Sequence, residues 1–137
     1  DCQDSTAIPY LLDILKSTSN HAIRDAVAIG LREFRDPRIL PALVSIIENP
    51  KTKGHRGTLV YALENQDCKS ILPLLVDLVI NDVLEVSLEA FFIIEAIASK
   101  IDIKNKKVCV NKIKKALDEI VWKEKAGLLK DLLEIFK

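Results

Sequence analysis

Few residues in this chain are equipped for chemistry. His21 and His55 are the only histidines, and Cys2, Cys68 and Cys109 the only cysteines, in 137 residues. A metal centre needs such ligands clustered and oriented by further hydrogen bonds. Scattered as they are, these predict no metal; His21 reads as a helix-start residue and His55 as a turn residue beside Gly54. Nucleophilic catalysis has no Gly-x-Ser-x-Gly elbow to work from, and Cys109 sits in an apolar Val-Cys-Val run that reads as packing. Lys53-Gly54-His55-Arg56-Gly57 has two glycines but no Lys-Ser/Thr at phosphate-loop spacing, so it is expected to be a flexible turn entering a helix. Carboxylates are plentiful, and Asp77 with Asp82 is an example of a candidate pair, although a general acid needs an enclosing pocket to raise its pKa. The expectation is a protein without catalytic residues, metal or cofactor.

The elements that would carry these residues follow a ruler. Pro9, Pro41 and Pro73 stand 32 residues apart, and each opens the same apolar pattern. Leu11, Leu12, Ile14 and Leu15 follow the first; Leu43, Val44, Ile46 and Ile47 hold the same offsets after the second, and Leu75, Val76, Leu78 and Val79 after the third. Recurrence at such a period marks an internal repeat. Each proline falls in a first helical turn, where its missing N–H costs little. Asp4-Ser5-Thr6 offer caps before the first helix, and Asp36-Pro37 ends one unit and caps the next. A second helix in each unit begins near His21, His55 and Val83; in the first, Ile23, Ala26, Val27, Gly30, Leu31 and Phe34 are the expected inward positions. Connections of a few residues make the neighbours antiparallel. Beyond Lys100 the ruler fails, yet two more helices are expected. One carries Val110, Ile113, Leu117, Ile120 and Val121, the other Leu129, Leu132, Leu133 and Phe136. An aberrant last pair is what a terminal cap requires.

Composition allows one domain with a real core. Basic and acidic residues balance at 20 each, so no global field recruits nucleic acid or membrane. An odd, sparse set of cysteines argues against a secreted disulfide framework, no apolar run is long enough to span a bilayer, and the cytoplasm is the expected compartment. The balance hides local asymmetry. No Lys or Arg falls between Lys69 and Lys100, where Asp77, Asp82, Glu85, Glu89 and Glu95 lie; Lys100, Lys104, Lys106, Lys107, Lys112, Lys114 and Lys115 then crowd together.

The lines Asp4–Leu15 with Ala22–Leu31, Asp36–Ile47 with His55–Leu63, and Asp67–Val79 with Glu85–Ile94 resemble HEAT-like (PBS-lyase-type) helical repeats, although Cys68 and Leu88 replace the expected Asp and Arg in the third. The resemblance implies an all-α, right-handed α-solenoid occupying residues 1–137 as one domain. Its regular repeats are set at 4–35, 36–66 and 67–99, with an irregular C-terminal pair at 104–137. It also implies that Arg24 and Arg56, one period apart, act with Asp36 as structural residues between repeats. Iron-binding members of the class use a His-Glu dyad, which neither histidine here provides.

Stacked helix pairs favour binding a macromolecule over turning over a small substrate. With Ala26, Thr58 and Ala90 facing inward, positions 21, 25, 28 and 32 and their equivalents would be open, lining up Asp25, Gly57 and Glu89, and Ala28, Val60 and Phe92. The expected partner-binding residues are Asp25, Arg32, Tyr61, Glu64, Glu85, Glu89, Phe92 and Glu95: apolar anchors with a charged rim. The leading expectation is a non-catalytic protein-binding module, monomeric on its own. In its sharper form, resembling small bacterial HEAT-repeat immunity proteins, it neutralises a basic toxin nuclease domain of the contact-dependent growth inhibition type. The alternatives are a nucleic-acid-binding HEAT-like protein or DNA glycosylase, disfavoured by the absence of Lys and Arg from 83–98, and a cofactor lyase or assembly factor.

Overall fold

A computed structural model describes residues 5–137; Cys2 and the cap candidate Asp4 lie outside the described residues. About 80% of the chain is helical and no strand occurs among the described residues, so the fold is all-α, as expected. Contacts gather into two compact units, one ending at Asp67 and the next beginning at Cys68, one residue after the start expected for the third repeat.

The first unit holds α1 (Ile8–Ser17), α2 (His21–Arg32), α3 (Ile39–Glu48) and α4 (Gly57–Tyr61), the last running on as a 3₁₀ turn over Ala62–Asn65. Helix α1 packs on α2 and α3, and α4 packs on both as well. Pro9 lies at the start of α1, and Pro41 in the first turn of α3, where an N–H has no intrahelical partner in any case. Asn20 caps α2 by accepting from the Ile23 N–H at 3.1 Å. Ser5 and Thr6, offered as caps, belong to a 3₁₀ turn, and the cap position of α1 is Ala7.

The second unit holds α5 (Leu72–Asn81), α6 (Leu84–Ile97), α7 (Ile103–Glu119) and α8 (Lys123–Ile135). Helices α5 and α6 form the most extensive pair, with α7 against α5 and α8 against both. The C-terminal pair therefore packs on the third pair as a further repeat would. Cys109 and Ile113 of α7 and Leu128, Leu129 and Leu132 of α8 are buried, each aliphatic side chain contributing about 1.5–3 kcal/mol. Two expected core residues are not helical: Ile120 ends α7, and Val121 is 97% exposed in the turn that follows.

Burial corrects the expected facing of the inner helices. Ala28 and Val60 are wholly buried, whereas Ala26 and Ile23 are exposed. Helix α2 is turned by one residue, so Arg24, Val27, Ala28 and Leu31 form its buried stripe at helical spacing. Phe92 escapes the correction and stands 53% exposed.

Candidate functional site

The candidate residues fall into two groups, one in each unit. In the first, three of them converge. The Arg32 guanidinium lies over the Tyr61 ring, 4.4 Å from its centroid, and donates to Glu64 Oε2 at 2.8 Å. Stacking and pairing hold a flexible arginine in one pose, and Glu64 raises the Arg32 pKa further. The same helix end is tied across the repeat by Asn65 donating to the Arg32 carbonyl and Gln66 to the Phe34 carbonyl, both at 2.8 Å. These bonds span 32 or 33 residues, so the sequence period reappears as a polar ladder between the first two helix pairs.

The arginines expected to act between repeats also bond locally. Arg24 donates to the Thr18 carbonyl at 2.9 Å, and Arg56 to the Asn49 carbonyl at 3.3 Å. Each ties down the turn entering its own helix. Asp36 binds Arg38, accepting from its backbone N–H and Nε at 2.9 Å and from the guanidinium on its other oxygen, which pulls the Asp36 pKa down to about 2. The Arg24 and Arg56 guanidiniums thus reach carbonyls six and seven residues earlier in the chain, in the turn before their own helix.

The two histidines are the feature that sequence reasoning missed. They lie outside one another's repeat register, yet their rings stack at 3.7 Å between centroids and 10° between planes. The turn between α3 and α4 makes this possible. The buried Thr52 hydroxyl lies 2.9 Å from the Ile46 and Asn49 carbonyls and accepts from Arg56 Nε at 3.3 Å. Gly54 then takes φ 88°, open to glycine at little cost, and swings His55 over His21. The expected flexible turn is thus a bonded one. Arg24 approaches His21 Nδ1 at 2.9 Å; a guanidinium only donates, so Nδ1 accepts and His21 is held neutral. Burial first, then His55 and Arg24, lower the His21 pKa against an opposing pull from Asp25. Asp25 itself is half-buried with its Oδ1 unbonded, and burial raises its pKa. No group of three or more His, Cys, Asp or Glu among the described residues is arranged to hold a metal ion.

In the second unit the candidates share a face of α6. Glu85, Leu88, Phe92 and Glu95 are all exposed at helical spacing, with Glu89 half-buried beside them. This is an acidic ridge with two apolar residues at its middle. Asp77 and Asp82 are engaged separately: Asp77 pairs with Lys112 of α7, while Asp82 accepts from the Val83 N–H at 2.8 Å. Part of the acid of α5 and the base of α7 therefore answer each other within the unit.

Lys125, another residue that sequence reasoning passed over, is only 2% exposed. Its ammonium donates to the carbonyls of Val79 and Asp82, at 2.9 and 2.6 Å, and to Ser87 Oγ. A cation there answers the carbonyl end of α5, although burial lowers its pKa.

Residues 23–49, which run from α2 through α3, match the family model of the PBS lyase HEAT-like repeat. The segment is a HEAT-like repeat, and its boundaries straddle the expected division at 35 and 36 because a periodic array has no fixed phase. Comparison with curated proteins and with solved structures finds no significant match. Repeats of this kind commonly mediate protein interactions. Among the described residues, no helix is long and apolar enough to cross a membrane.

Proposed function

We propose that the chain is a non-catalytic protein-binding module whose partner is basic where it meets α6. The observation that carries this is the exposed Glu85–Leu88–Phe92–Glu95 ridge on a helix without one lysine or arginine. An apolar centre with a charged rim is the composition of an interface, Phe92 being the anchor. Acidic flanks steer a basic partner and raise its association rate. In its specific form the partner is a toxin nuclease domain, and the chain is the immunity protein that covers its basic cleft.

Affinity capture from the source organism, using the full chain as bait, tests the reading. The expected catch is a basic protein whose association slows by about tenfold for Glu85→Lys with Glu95→Lys and whose dissociation quickens for Phe92→Ala. A captured partner indifferent to all three substitutions would remove the ridge from the interface. Failure to capture any protein would remove the binding function, and a captured protein without nuclease activity would remove the immunity role.

A further inference from the structure

Between α7 and the end of α8 lies an open groove of about 610 Å³, within the size range of small-molecule sites. Its apolar surface comes from Ile103, Val110 and Phe136, and its polar edge from Lys106, Lys107, Asn111 and Lys137. Ile103, Lys106, Lys107 and Val110 stand at i, i+3, i+4 and i+7 of one helix, so the cations and the apolar residues share a face. Every ionisable side chain lining the groove is basic. Lys137 is held by Glu134 at 2.7 Å, but Lys106, itself half-buried, and Lys107 make no ion pair among the described residues. Ile103 remains 74% exposed beside them.

We propose that this groove binds a free single-chain carboxylate amphiphile, its acyl tail over Ile103, Val110 and Phe136 and its head between Lys106 and Lys107. The carboxylate supplies the two ammoniums with the counter-charge that no side chain lining the groove provides, and Asn111 offers an amide N–H to the second carboxylate oxygen. Burying the tail removes apolar surface from water on both partners. The site is separate from the α6 ridge, so its failure would leave the protein-binding reading standing.

Titration calorimetry of the full chain with decanoate, with decyl maltoside as the neutral-headed control, provides the test. The expected result is saturable one-to-one binding of decanoate, weakened by about tenfold in Lys106→Glu with Lys107→Glu, with amide shifts confined to α7 and the end of α8. Ile103→Asp, on an exposed position, should also weaken it while leaving the circular dichroism unchanged. Equal binding of decyl maltoside would overturn the proposal, as would shifts located elsewhere. So would decanoate failing to bind while an acidic amphipathic peptide, or vesicles of phosphatidylcholine with phosphatidylglycerol, engaged α7, or the groove being covered by self-association of the chain.

Discussion

At the scale of single residues, His21 is where solution conditions enter the fold. Its folded pKa lies below the ordinary value, and its Nδ1 already serves as acceptor for Arg24. Protonation would set an imidazolium against a guanidinium and a second ring 3.7 Å away. The unfolded chain therefore takes up the proton first, and stability is full above about pH 6.5 and declines as pH falls through that value. Asp25, with its pKa raised, works in the opposite sense but only in the carboxylate range. Thermal melts from pH 7.5 to 5.5 should show a falling midpoint, and His21→Gln, which keeps an acceptor but cannot titrate, should flatten the slope. An unchanged slope in that variant would place the effect elsewhere. Glu64→Gln should cost only about 0.5 kcal/mol in urea unfolding, because the Arg32–Glu64 pair is partly exposed and screened.

At the scale of elements, the turn between α3 and α4 and the end of α5 are fixed by single side chains. Gly54→Ala meets no atom within 4 Å, so any cost is that of the left-handed backbone alone, about 1–2 kcal/mol. Denaturant unfolding measures it, and a neutral substitution would mean the turn relaxes. Lys125→Met would remove the ammonium's hydrogen bonds to the Val79 and Asp82 carbonyls together with a buried charge. The expected net loss is about 1–3 kcal/mol by the same measurement. These anchors were illegible beforehand for a common reason. Thr52 and Lys125 are ordinary polar residues in a sequence, and they matter only because chain carbonyls come within 3 Å of them.

At the scale of the whole molecule, contacts concentrate within each of the two units, so damage should stay local. Hydrogen exchange of Lys125→Met should quicken in 72–97 and 123–135 while 8–48 keeps its protection. Equal loosening of both stretches would show that the chain opens as one cooperative body. The charge asymmetry also belongs to this scale. Lys112 neutralises Asp77 inside the second unit, leaving the α6 ridge acidic and the α7 groove basic on a chain whose formal net charge is zero.

The order of residues was enough to determine the helices, their pairing and the period, because prolines and apolar side chains repeat at fixed intervals and local geometry follows from them. It also placed Arg32, Tyr61 and Glu64 in one candidate group, since positions a period apart recur on equivalent faces. Which face of α2 is buried turned on a rotation of one residue, about 100° of helix, and only packing against neighbouring helices selects it. The meeting of His21 and His55 needed a left-handed glycine and a turn bonded through Thr52. The Lys125 contacts span 38 to 46 residues. Such contacts between distant positions have no periodic signature, and tertiary structure alone decides them.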